Sequence, residues 1–281
     1  MAGVLSGLKA LGLEKLEDSD IFAEEASEKA VDGGKKVVKE VCESDLIYDK
    51  EMKCPVCDRR FVTKIMKSSR AKLIGTDDDL RPRYEGIDSQ KYEVILCENC
   101  GYAALGKNFT TILSSQAKLI KENICATVKL TKYNEPIYSF EQADERYKLA
   151  LACAFVKKAK SSEKALICLK AAWLYRSKRE ELEAAGANKK EIDRLAENEK
   201  VYLENAYKGF TAARLKENLP IAGMDSNTLD YLLASLAFRV GDYAISSKMV
   251  GTILTSSSNE RIKNRARDLK DKLLAQKEAT K

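Results

Sequence analysis

Two short cysteine pairs, Cys54-Pro55-Val56-Cys57 and Cys97-Glu98-Asn99-Cys100, constrain what this chain can fold into more than any other feature. Each pair aims two thiolates at one point, and two such turns brought together place four sulfurs around an ion as a tetrahedron, the arrangement of structural zinc. Segments separated by 39 residues therefore have to meet. A closed four-sulfur shell leaves no position for substrate, so the ion's task is folding, worth on the order of 10 to 16 kcal/mol in small peptides. Phe61, just past the first pair, supplies an apolar cover, and Gly101, directly after the second, supplies a tight turn. Rubredoxin-like iron is an alternative, disfavoured because the first pair is not followed by glycine. A redox dithiol is another, disfavoured because neither pair opens a helix of a βαβ unit.

The chain has 281 residues and no histidine. Histidine-based triads, histidine-containing zinc hydrolase sites and histidine proton shuttles are thereby excluded, and a protein that is not an enzyme is expected. Eight cysteines are too dilute in this length for a secreted disulfide framework, and no apolar run approaches a membrane span, so a reducing, cytoplasmic setting is expected. The net charge of +6, from 49 basic and 43 acidic residues, favours solubility without demanding a polyanionic partner.

Composition divides the chain into a leader (1–43), a cysteine module with a trailing helix (44–135) and a helical region (136–281). The leader is net acidic; Val4, Leu5, Leu8 and Leu11 share one helical face, and the Asp32 to Gly34 stretch reads as a tether. In the module, Phe61, Thr63 and Ile65 alternate with Val62, Lys64 and Met66, and Tyr92, Val94 and Leu96 with Glu93 and Ile95. These are half-buried strand patterns, expected to form one hairpin from which Gly75 to Glu85 protrudes as an exposed excursion. Helix starts are expected at Ser114 or Ser115, at Ser139 with Gln142 as a capping box, at Asn188 and at Ser257. Stops are expected at Gly186, Asn218 to Pro220 and Gly241.

The helices carry a faint repeat. Ala165-Leu169-Ala172, Ala206-Phe210-Ala213 and Ser246-Val250-Ile253 share one template of a small, a bulky, and a small or apolar residue, with first members 41 and 40 residues apart. That is the packing logic of the second helix in a tetratricopeptide repeat, stretched by longer helices, and the alternative is a plain helical bundle. The fold class expected is α+β: a small β-ribbon zinc module followed by an all-α tetratricopeptide-like domain.

Four further cysteines are expected outside the site: Cys125, Cys153 and Cys168 as small core residues, and Cys42 alone in the leader. Arg59, Arg60, Lys64, Lys67, Arg70 and Lys72 crowd the first strand, so a nucleic-acid-binding ribbon with a helical dimerisation domain is the alternative function. The count over residues 51–135, 15 basic against 11 acidic, favours a self-paired, solvated face instead. Asp77, Asp78 and Asp79 read as a polar turn rather than a cation site.

The segments Cys54 to Cys57, Ser68-Ser69-Arg70-Ala71-Lys72-Leu73, Asp79-Leu80-Arg81-Pro82-Arg83-Tyr84-Glu85-Gly86-Ile87-Asp88, Tyr92 and Cys97-Glu98-Asn99-Cys100-Gly101-Tyr102-Ala103 fall in an order that resembles the bacterial family called domain of unknown function 2225, common in Clostridia and related Firmicutes. Tyr231-Leu232-Leu233 through Gly241-Asp242-Tyr243 is similar to that family's C-terminal helical repeat. The resemblance implies a cytoplasmic protein with a cysteine-rich metal module, whose ligand positions map onto Cys54, Cys57, Cys97 and Cys100, and tetratricopeptide-like helices. An adaptor that binds a protein or peptide partner is the expected function. Arg81, Arg83 and Tyr84 are the candidate partner-binding residues, chosen for exposed aromatic and arginine character.

Overall fold

Each cysteine pair builds a hairpin of its own. In the computed structural model, which describes residues 42–130 and 135–279, β1 (Ile47–Lys53) runs into the first pair and returns as β2 (Arg60–Met66), with Lys53 opposite Arg60 and Ile47 opposite Met66. The second pair joins β5 (Val94–Leu96) to β6 (Ala103–Leu105), with Leu96 opposite Ala103. Between them, β3 (Leu73–Thr76) and β4 (Pro82–Tyr84) form a third hairpin. The expected pairing of the 61–66 strand with the 92–96 strand is therefore corrected. Residues 47–53 carry no clear alternation and show their strand character only in the pairing, because a knuckle turn closes most easily on the chain immediately before it. The leader's amphipathic face and tether lie outside the described residues.

The β5–β6 hairpin is buried on both sides, which corrects its half-buried reading. Val94, Leu96, Ala103 and Leu105 enter the core of the helical region, while Ile95, Tyr102 and Ala104 on the other face join the cluster around the cysteines. The alternation is present in the fold, but both of its phases are apolar because two cores share one hairpin.

Among the described residues, eight α-helices follow: α1 (Gly106–Phe109), α2 (Ser114–Ile120), α3 (Phe140–Val156), α4 (Ser161–Ala184), α5 (Lys189–Lys216), α6 (Ser226–Arg239), α7 (Tyr243–Thr255) and α8 (Glu260–Ala279). The capping box at α3 forms as expected, Gln142 N donating to Ser139 Oγ at 3.2 Å and Ser139 N to Gln142 Oε1 at 3.0 Å. Asn188 caps α5. At α8 the cap is Asn259 rather than Ser257, its Oδ1 accepting from Ile262 N. Gly186 and Gly241 end α4 and α6 with φ of 66° and 86°, in both cases with the paired backbone bonds of a Schellman turn.

All nine template positions of the repeat are buried. The first two copies, however, lie on consecutive helices that face each other: a Cβ on Gly209 of α5 would stand 2.8 Å from Ala165 Cβ of α4. Close approach of two long helices, not a strict helix-pair period, accounts for the small residues there. The third copy sits on α7, where Ser246 Oγ donates to Ala234 O of α6 at 2.8 Å.

The Gly75 to Glu85 segment is no exposed excursion. Its tip is driven into the helices. Asp79 is fully buried and accepts from Trp173 Nε1 at 3.1 Å and from Arg176 Nη1 and Nη2 at 3.0 and 2.6 Å, with Arg239 Nε 3.3 Å away. Asp77 takes Arg81 Nε at 2.6 Å and Arg83 Nε at 2.5 Å, and Asp78 meets Lys272 of α8. Arg81, expected to be exposed, is 2% exposed and forks onto both oxygens of Glu180 on α4, which Arg83 Nη2 also reaches. Tyr84 is half-buried, against Leu46, Ile47 and Ile87. A carboxylate this deep is tolerated because it meets guanidinium groups on α4 and α6.

This pin sets a pH dependence. Burial pushes the Asp79 carboxyl up, but the charge and hydrogen bonds of Arg176, then Arg239 and Trp173, outweigh it and hold it below 3.8. Its stabilisation is complete above that value and lost as the pH falls below it. Asp79→Asn, which leaves Arg176 buried against a neutral group, should cost about 3–5 kcal/mol in denaturant unfolding at neutral pH. Asp78→Asn, against half-exposed Lys272, should cost less than about 1 kcal/mol. The gap between wild type and Asp79→Asn should narrow in acid; equal stability at neutral pH would refute the pin.

Candidate metal centre

The two knuckles are near copies of one another. Cys54 N closes its turn by donating to Arg59 O at 3.0 Å, and Cys97 N donates to Tyr102 O at 2.9 Å. Asp58 N donates to Cys54 O at 3.0 Å, as Gly101 N does to Cys97 O at 2.8 Å. The residue after each second cysteine is left-handed, with φ of 61° at Asp58 and 77° at Gly101. Asp58 thus takes the role that glycine takes in the second knuckle, which Asp adopts more readily than most side chains.

These turns bring Cys54, Cys57, Cys97 and Cys100 together, all four sulfurs within 4.8 Å of one another. Cys54 Sγ lies 3.7 Å from Cys100 Sγ, and Cys57 Sγ lies 3.7 Å from Cys97 Sγ. A disulfide needs about 2.05 Å. A tetrahedron of sulfurs at about 2.3 Å from a central ion has edges of about 3.8 Å. The four thiols are therefore spaced as ligands of one metal ion, as the sequence pattern predicts.

The electrostatics agree. Hydrogen bonds from Cys100 and Cys54 draw the Cys97 thiol down to about 2. The Cys100 bond also lowers Cys54, but Cys97 and burial outweigh it and carry Cys54 up to about 12. Cys100 is raised by Cys54, then by Cys97 and burial. A divalent cation at the centre of thiols this close would favour their ionised forms and release protons.

Around them is a dry shell. Phe61 is buried as expected, with its ring 5.7 Å from that of Phe109; Phe109 lies 5.0 Å from Tyr102, whose hydroxyl donates to Phe109 O at 3.1 Å. The helical region contributes Cys153 of α3, a buried core residue as expected, which also takes part in the knuckle: Ala103 N donates to its sulfur at 3.5 Å and the thiol donates to Gly101 O at 3.7 Å. Cys168 is buried. Cys125 is only half-buried, at the end of a π-helical turn (Lys121–Cys125), packed against the cysteine cluster and within hydrogen-bonding reach of Cys100; burial raises its thiol. Tyr102, named only within the motif that carries the family resemblance, and Phe109 are given no part in the cysteines' cover by the sequence reading, although each is an aromatic residue close behind the second knuckle.

The basic run is largely paired within the module. Arg60 meets Glu51 at 3.0 Å, Lys64 meets Asp49 at 2.9 Å, Lys72 meets Glu85 at 3.1 Å, and Lys67 Nζ donates to Asp45 O.

Residues 47–273 match the family described as "uncharacterized protein conserved in bacteria (DUF2225)". The chain belongs to that family. No curated protein and no solved structure matches it. The matched span runs from β1 into α8, so in this DUF2225 chain the cysteine module and the helices fall within one family unit.

Gly101 offers a direct test of the knuckle. A Cβ there would lie 2.6 Å from Val128 Cγ1, and the positive φ adds strain. Gly101→Ala should destabilise the protein by about 1–3 kcal/mol and weaken metal retention against a competing chelator. Val128→Ala in that background should return part of the loss, whereas Asp58→Gly should be tolerated. A neutral Gly101→Ala would refute the tight knuckle.

Proposed function

We propose that this chain is a zinc-binding adaptor of the reducing cytoplasm, in which one structural ion on Cys54, Cys57, Cys97 and Cys100 fixes the cysteine module and the tetratricopeptide-like helices hold a protein or peptide partner. The observation that carries the metal assignment is the 3.7 Å spacing of sulfurs contributed by two near-identical knuckles. Zinc is preferred because it takes a four-thiolate tetrahedron with no redox demand. A closed shell of four protein ligands has no open coordination position, which supports a structural role. The partner-binding role draws support from the helices themselves, which stack side by side and leave apolar side chains such as Phe155 and Leu215 at the surface, 75% and 80% exposed. The basic run favours nucleic acid less than its composition suggests, since its cross-strand carboxylates already neutralise much of it. Arg81 is dropped as a contact residue, its guanidinium being committed to Asp77, Ser177 and Glu180.

The chain purified from its native cell should be colourless and carry one zinc per chain by elemental analysis; a red, iron-loaded sample would overturn the ion. Cys54→Ser and Cys97→Ser should lose the metal and much of the module's stability. Zinc added to the stripped protein should release protons, and its affinity should fall as the pH is lowered, since the thiols must give up protons to bind. Affinity purification should recover a nuclease-resistant protein partner. Steeply salt-dependent retention on heparin with no protein partner would favour the nucleic-acid reading.

A further inference from the structure

A groove of about 810 Å³ runs along α4, walled by α3 on one side and α5 on the other. Each helix contributes a row at helical spacing: Lys148, Leu151, Ala152 and Phe155 from α3, Ser161, Lys164, Ala165 and Cys168 from α4, and Val201, Asn205 and Lys208 from α5. Such rows normally face a core. Here Ala165 and Cys168 are buried beneath the groove, whereas its walls open outward, with Phe155 and Val201 75% and 47% exposed. The floor is made of small residues, Ala165 and Cys168, because α4 and α5 approach closely at Gly209.

The charge around the groove has one sign. Lys148, Lys164 and Lys208 line it, and no carboxylate among the described residues does, although Asp144 pairs with Lys148 from one turn earlier on α3. Packed helices sit about 8–10 Å apart, so two helices flanking a third leave a slot of roughly one helix diameter above it. Few backbone-pairing groups line that slot, so an added strand would find no ladder there.

We propose that this groove docks an amphipathic helix of a partner protein, its apolar stripe on Leu151, Phe155 and Val201 and its acidic polar face toward Lys148, Lys164 and Lys208. The inference rests on the adaptor reading and supplies its docking site and the chemistry of the partner. The contact is about two helical turns long, matching rows that span eight residues of each wall.

The test uses the full-length, metal-loaded chain and two fluorescent synthetic helices of equal length, one with leucine and glutamate faces and one with leucine and lysine faces. The glutamate peptide should bind at least tenfold more tightly by anisotropy, with an affinity that weakens as salt rises. Phe155→Asp with Val201→Asp, both at exposed positions, should reduce that binding at least tenfold with an unchanged melting temperature. Lys164→Glu with Lys208→Glu should reverse the preference toward the lysine peptide, which mere structural damage would not do. Equal binding of both peptides, binding indifferent to these substitutions, or co-sedimentation with phosphatidylglycerol vesicles in place of peptide binding would overturn the proposal. If the groove variants still recover the cellular partner, the groove falls and the adaptor stands. If the glutamate peptide binds as described but no cellular protein partner is recovered, the groove stands and the adaptor reading falls.

Discussion

Four cysteine thiolates held about a tetrahedron's edge apart repel one another unless a cation lies between them. Nothing else in the cysteine module makes this demand, and the rest of that region is organised so that it can be met. Each knuckle spends its backbone hydrogen bonds within its own turn, each places a left-handed residue after its second cysteine, and each sits at the tip of its own hairpin. Convergence therefore requires only that two hairpin tips meet, for which the three small two-stranded sheets among the described residues suffice.

The meeting is secured from the side of the helices. The second hairpin is shared between two cores, and Tyr147 of α3 donates to Gln90 O just before it. The third hairpin adds a polar anchor at a distance from the metal centre, with Asp79 among Arg176, Arg239 and Trp173. The two anchors differ in what they respond to. Thiol protonation and metal supply govern one; the other yields only when a carboxyl held below its usual range becomes protonated in acid. A boundary at residue 135 between module and helices describes composition, whereas the packing runs across it.

What could be read from the sequence was whatever repeats over a few residues. The paired cysteines, the β2 alternation, the Ser139 box and the glycine stops are local signals, and each appears in the fold where the local rule puts it. The strand partners and the buried aspartate were not legible, because they depend on groups far away. Asp79 looks like any solvated carboxylate until Arg176, 97 residues downstream, is beside it. The same holds for Arg81: a run of aspartate, arginine and proline has the composition of an exposed turn, and only the position of Glu180 decides that it is buried. The template of small and bulky residues was seen correctly, but its meaning changed. It marks the close approach of α4 to α5, and with it the floor of a groove.

That groove and the metal centre meet on one helix. Cys153 and Phe155 lie two residues apart on α3, one bonded to the second knuckle through Ala103 and Gly101, the other standing in the open wall of the slot. Opposite faces of the same helical turn thus read two different surroundings. On the knuckle side α3 is tied through Cys153, whose sulfur accepts from Ala103 N and whose thiol donates to Gly101 O. For the helix proposed to dock there, a wall held in this way would be preorganised, and less of the binding energy would go into ordering it. On the function proposed above, an ion on the four cysteines would need to do no chemistry to matter for recognition; holding one helix face in place would be sufficient.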